Sequence, residues 1–125
     1  MKKRLGQDYI YVSSSWDMEE IENHLQAVAS RLHIECPSYA AEKEQCEKAL
    51  AQARQCLGQM PIAVDYTAVM RPFSLARLLL TYGFWVERIY ADGANPEDAE
   101  DFYWIQAHYP QLQLYATRHA DMRCL

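Results

Sequence analysis

The chain has 125 residues, half of them apolar, and a formal net charge of -5. That suits one domain with a real core and argues against a nucleic-acid partner, because phosphate binding by counterion release needs clustered Lys and Arg, and only Lys2, Lys3 and Arg4 stand together. No run approaches the roughly 20 apolar residues of a membrane span, and the polar start lacks the apolar stretch of a signal peptide, so a cytoplasmic protein without a membrane partner is expected.

Tyr9, Ile10, Tyr11 and Val12 form a short β-favouring run that ends in Ser13, Ser14 and Ser15, and are expected to make a first strand. Asp17 then stands as a helix N-cap with Glu20 three residues on, and Met18, Ile21, Leu25, Val28 and Leu32 recur at steps of three and four. Pro37 interrupts this pattern. A second helix from near Ser38 carries Cys46, Leu50, Ala53 and Leu57 on one face and solvated Glu, Lys, Gln and Arg on the other, with Gly58 as a left-handed stop.

Beyond Gly58 strands alternate with helices, the pattern of a parallel sheet built from right-handed crossovers. Ile62, Ala63 and Val64 give a short strand ending at Asp65. Pro72 suits the first turn of a helix whose Phe73, Leu75, Ala76, Leu78, Leu79 and Leu80 are apolar almost all round, so it needs cover on more than one side; Gly83 closes it. A strand over 84–91 precedes Asp92 and Gly93. The next helix starts with Asn95 as N-cap, Pro96 at its first position and Asp98 as capping-box partner. Glu97, Asp98, Glu100 and Asp101 crowd its first turns and are expected to form a solvated face matched to the helix dipole, while Ala99, Phe102, Tyr103 and Ile105 supply the buried side. Leu112, Leu114 and Tyr115 make a third strand.

The expected fold class is therefore α/β: a three-layer, Rossmann-like βαβαβ half-domain preceded by a strand and two helices. Residues 1–58 form the N-terminal strand-plus-helices part and residues 59–125 the incomplete Rossmann-like unit. Half of a doubly wound sheet leaves an unpaired edge, so a homo-oligomer or a missing partner subunit is expected.

Ligands of open α/β sheets sit beyond the carboxyl ends of the strands. That rule gathers Asp65, Tyr66, Thr67 and Arg71 near Asp92, Gly93, Thr117, Arg118 and His119. Asp65, Thr67, Arg71, Asp92 and His119 are the candidate binding residues, since carboxylates with Arg and His could hold an anionic or metal-bound ligand; the same Asp residues equally suit caps and turns. The first strand-to-helix turn contains no glycine, and the chain has neither GxGxxG nor GxxxxGK[ST], which disfavours nucleotide binding. No Ser lies in a GxSxG elbow, and His24 and His33 have no cysteine at a spacing that implies pairing; both read as surface or boundary residues.

Cys36, Cys46, Cys56 and Cys124 include no CxxC pair and are expected to be reduced, buried or half-buried structural thiols. Ten helical residues turn through about 1000°, leaving Cys46 and Cys56 roughly 80° apart around the axis and about three turns apart along it, too far to share one metal unaided.

Trp16-Asp-Met-Glu-Glu-Ile, the helix from Glu42 to Leu57, Pro61-Ile-Ala-Val-Asp, Arg71-Pro-Phe-Ser-Leu-Ala-Arg-Leu-Leu-Leu-Thr-Tyr-Gly-Phe and Val86-Glu-Arg-Ile-Tyr-Ala-Asp-Gly together resemble the nitrogenase component 1 type oxidoreductases. That family includes nitrogenase molybdenum–iron subunits, cofactor-assembly scaffolds and dark protochlorophyllide reductase subunits. The resemblance spans nearly the whole chain. It implies subunits of three Rossmann-like domains, with iron–sulfur or related clusters at interfaces and electrons from an ATP-dependent iron protein. This chain would cover the end of the middle domain and the first half of the last, and no cluster ligand of the family transfers to Cys36, Cys46, Cys56 or Cys124. The expected function is thus a part of such an oxidoreductase or scaffold, inactive alone and binding no cofactor by itself; the alternative is a stand-alone interaction or small-ligand module without redox chemistry.

Overall fold

The computed structural model describes residues 8–118, so His119 and Cys124 lie outside the described residues. In chain order the elements are α1 (Met18–Leu32), α2 (Ala40–Leu57), β1 (Ile62–Asp65), α3 (Pro72–Thr81), β2 (Val86–Tyr90), a 3-10 turn (Pro96–Asp98), α4 (Ala99–His108) and β3 (Gln113–Tyr115). The strands form one parallel sheet in the order β1-β2-β3. Alternating strands and helices thus give the α/β, Rossmann-like half-domain that the sequence implies.

Register explains where the core sits. Val64 pairs with Ile89 and Ile89 with Leu114, and side chains of one row share one face of a sheet. On that face Val64 and Ile89 are buried with Phe73, Ala76 and Leu80 of α3 and Ile105 of α4. The two crossover helices pack on each other, with Phe73 and Phe102 edge to face at 5.3 Å. The neighbouring rows, Ala63, Arg88 and Gln113 and then Asp65, Tyr90 and Tyr115, turn to the other face, where Tyr90 and Tyr115 stack at 5.4 Å. Both crossover helices therefore cover one side of the sheet. The apolar girdle of α3 is met by the sheet, by α4 and, at its N-terminus, by the segment before α1.

The first half of the chain is attached differently. Asp17 caps α1 as its spacing predicts, accepting the Glu20 amide at 2.9 Å. His33 ends the helix in the left-handed region (φ 55°), and its amide reaches the carbonyls of Ala29 and Ser30. The run Tyr9–Val12, by contrast, forms no strand: it is exposed, and no backbone hydrogen bond among the described residues pairs it with the sheet. Strand propensity is a preference for a half-buried, paired surface, and this segment pairs with neither edge of the sheet.

α2 corrects a second expectation. None of its residues is buried, Leu50 alone being half-buried, so Cys46 and Cys56 are exposed thiols, and among the described cysteines only Cys36 is partly covered. Among the described residues no element packs along the length of α2, which Tyr82 meets near Cys46 and Glu47, and its helicity rests on good helix formers and on pairs such as Glu44 to Lys48 at 2.7 Å. Its C-terminal end docks where Arg54 Nε donates to the Gly83 carbonyl at 2.8 Å.

Ile89 has no solvent exposure. Ile89→Ala is expected to cost about 2–5 kcal/mol in urea unfolding followed by far-ultraviolet circular dichroism, and Leu50→Ala on α2 less than about 1 kcal/mol.

Candidate functional site

Helix α3 starts without a cap of its own. The residue at its N-cap position is Arg71, whose side chain makes no capping bond and whose backbone is left-handed (φ 57°), a conformation that costs a non-glycine residue about 1–3 kcal/mol. The cap comes from elsewhere in the chain. The two carboxylate oxygens of Asp98 accept the Phe73 and Ser74 amides, each at 3.0 Å, which satisfies donors that a helix start otherwise leaves orphaned.

The left-handed backbone aims the Arg71 guanidinium into the protein, where the residue is only 6 % exposed. Nε lies 3.5 Å from Asp98, Nη2 donates to the Glu97 carbonyl at 2.8 Å and to Asp101 at 3.2 Å, and Nη1 donates to the Ser14 carbonyl at 2.8 Å and to Glu20 at 3.0 Å. Asp101 also takes a bond from Arg77 at 2.9 Å, and Arg77 lies over the Trp104 ring at 5.0 Å. Every planar donor direction of Arg71 is thereby engaged.

This knot overturns the expectation of a solvated acidic face. Asp98 and Asp101 are buried, and only Glu97 and Glu100 face water. Nor does Asp98 close a capping box with Asn95: the Asn95 side chain makes no cap bond, the segment opens as a 3-10 turn, and Asp98 turns away to serve α3. Capping-box spacing describes what one helix can do alone, whereas Asp98 answers to amides 24 and 25 residues away. The role of Arg71 has no local sequence signal beyond its place before Pro72.

The other strand-end residues are tied more loosely. Asp65 accepts both the amide and the hydroxyl of Thr67 at 2.7 Å, a short turn motif on the exposed side of the loop. Asp92 accepts the Thr117 hydroxyl and the Arg118 amide at 2.8 Å, with Arg118 Nε at 3.2 Å, so it fastens the end of β3 to the end of β2. A cleft of about 730 Å³ opens at this end of the sheet, and Tyr66, Arg71, Asp92, Gly93, Asn95 and Arg118 are among the residues that line it. Of the candidate binding residues the structure brings Arg71 and Asp92 to this cleft, leaves Asp65 and Thr67 beside it in their own turn, and does not describe His119. Arg71 reaches the cleft with its donors already occupied, so the exposed guanidinium there is that of Arg118.

Electrostatics follow from burial and partners. Burial raises the Glu20 carboxyl, but hydrogen bonds from Ser15 at 2.5 Å and from Arg71, with the charge of Arg71, outweigh it and hold Glu20 below its ordinary range. Asp98 is raised: burial dominates, the repulsion of Asp101 adds to it, and the bonds from Phe73, Ser74 and the charge of Arg71 only partly offset it. Asp65 is lowered by the Thr67 amide and hydroxyl. Among the described residues no group of three His, Cys, Asp or Glu side chains converges to hold a metal ion, and no helix is long and apolar enough to cross a membrane. No protein-family model, curated protein or solved structure matches this chain.

Removing the Asp98 carboxylate leaves two helix amides and a buried guanidinium short of a partner. Asp98→Ala is expected to lose about 3–5 kcal/mol in chemical denaturation, and Asp98→Asn, which keeps an acceptor, less. The two carboxylates also carry opposite pH signs. Glu20, lowered in the folded protein, contributes stability that is present above its ordinary value and lost as pH falls through the folded value; Asp98, raised, contributes below its ordinary value and loses that contribution as pH rises through the folded one. In urea unfolding across the acid range, the advantage of the parent chain over Glu20→Gln is therefore expected to shrink as pH falls.

Proposed function

We propose that this chain is part of a nitrogenase component 1 type oxidoreductase, or of a related cofactor-assembly scaffold, and that it is inactive alone and lends one wall to a cofactor pocket in a larger assembly. The observation that carries this reading is the unfinished sheet. A parallel sheet ordinarily has helices on both faces and neighbours at its edges. Among the described residues β1 and β3 each have one neighbour, both crossover helices lie on one face, and the other face presents Arg88, Tyr90, Gln113 and Tyr115. Of the phrases that resemble the family, three fall on β1, on Arg71 with α3, and on β2, which form the core of the unit, and two fall on the start of α1 and on α2.

Among the described residues Cys46 and Cys56 stand exposed on α2, Cys36 is half-buried, and no metal-holding group forms. On this reading a cluster and its ligands belong to other parts of the assembly, the chain supplies shape and charge at the strand ends, and an ATP-dependent iron protein acts on the assembled whole.

A second reading, a stand-alone small-ligand module without redox chemistry, is favoured by the strand-end cleft, whose Tyr66, Asn95 and Arg118 side chains offer a ring, an amide and a cation to one small polar molecule. Anaerobic reconstitution with iron and sulfide, beside a variant with all four cysteines changed to Ser, is expected to give a colourless, iron-free chain that sediments as a dimer or larger species. A stoichiometric, cysteine-dependent chromophore would overturn the assignment of clusters to other subunits. A colourless strict monomer at high concentration would instead favour the small-ligand module.

A further inference from the structure

The segment before α1 and the start of that helix meet the α/β unit almost wholly through polar bonds gathered over residues 11–20. Tyr11 donates its hydroxyl to Glu97, the Trp16 indole donates to the Met70 carbonyl at 3.0 Å, the Trp16 amide reaches Ser74 Oγ at 3.4 Å, and Ser14 and Glu20 receive Arg71 Nη1. Further along, α1 buries only Ala29, while Ile21, Leu25 and Leu32 remain exposed. The α/β unit, in contrast, is held by a contiguous apolar core. A segment with little buried apolar surface opens at a lower free energy than the core beneath it.

We propose that residues 8–32 form a detachable arm, latched to the α/β unit by Arg71 and Trp16, that opens as a local two-state event while the unit stays folded. The asymmetry of Arg71 makes this opening possible. Only Nη1 holds the arm; Nε and Nη2 bind Asp98, Asp101 and the Glu97 carbonyl, all on the unit's own side. Opening therefore releases Ser14 and Glu20 without orphaning a buried charge, and the Asp98 cap of α3 persists. A buried ion pair with partners only across the joint would resist such opening, because separation would strand an uncompensated charge.

Opening also changes what the surface offers. The start of α1 forms one wall of a cleft of about 400 Å³ against α3 and α4, with Ser74, Arg77, Leu78 and Trp104 on the opposite wall. With the arm away, that wall becomes an exposed surface bearing a cation stacked on an aromatic ring. The inference is independent of the assembly proposed above, because latch and wall both lie within this chain.

Amide hydrogen exchange of the full chain tests it. In Glu20→Gln, α1 is expected to exchange roughly tenfold faster than in the parent, the size of one charge-assisted hydrogen bond at a partly exposed site, with β2 unchanged. Trp16→Phe removes the indole bond to Met70 independently and is expected to act in the same direction on the same helix. Equal acceleration of α1 and β2 in either variant would show that arm and sheet unfold as one body and would overturn the proposal. Unchanged α1 exchange in both variants would overturn it as well.

Discussion

The carboxylate of Asp98 binds the first free amides of α3 on one side and the guanidinium of Arg71 on the other, and most of the molecule's architecture hangs from that contact. It fixes the first turn of α3 against the start of α4, while the right-handed crossover from β1 to β2 sets the face of the sheet that α3 covers. It also balances the left-handed backbone of Arg71, because a strained residue persists only where its surroundings fix it from several sides. Asp98 is itself delivered by the 3-10 turn ahead of α4, so the second crossover helix and the first are positioned by the same bond. A charge this deeply buried is tolerable because two amides and the Arg71 guanidinium complete its shell.

The alternation of strands and helices from Ile62 onward was legible in the sequence, because short apolar runs, Pro72, Gly83 and the Asn95-Pro96 pair mark element ends by local chemistry. The Asp17 cap of α1 was legible for the same reason. What escaped was non-local. Tyr9–Val12 has the composition of a strand, but a strand needs a partner edge, and propensity does not say whether one is within reach. The stripe of Cys46, Leu50, Ala53 and Leu57 has helical spacing, yet spacing cannot show whether anything packs on it. At the candidate site, the strand-end rule placed Arg71 and Asp92 together, and both line one cleft at that end of the sheet. It could not show that Arg71 is fully engaged by Glu20, Asp98 and Asp101, residues 51, 27 and 30 positions away, because charge pairing over such separations leaves no periodic trace.

The two halves of the chain illustrate two ways of holding a fold. The α/β unit closes on an apolar face where Val64, Phe73, Ala76, Ile89 and Ile105 meet, and among the described residues its opposite face bears Arg88, Tyr90, Gln113 and Tyr115. The preceding helices contribute little to that core and are joined to it at discrete polar points. The molecule thus carries two unlike surfaces, a sheet face bearing Arg88, Tyr90, Gln113 and Tyr115 and a helix start joined to Arg71 by polar bonds.

Gly83 closes α3 in the left-handed region (φ 81°), and a Cβ placed there would fall 2.8 Å from Arg54 Nε, the group that docks α2 on this residue's carbonyl. One position thus answers to two neighbours at once: the turn into β2 requires the freedom of glycine, and the guanidinium of a helix far away in sequence requires the missing side chain. Any other residue would strain the turn and make the Arg54 guanidinium swing away from its bond to this carbonyl, so the docking of α2 at this point is written partly in an atom that is not there.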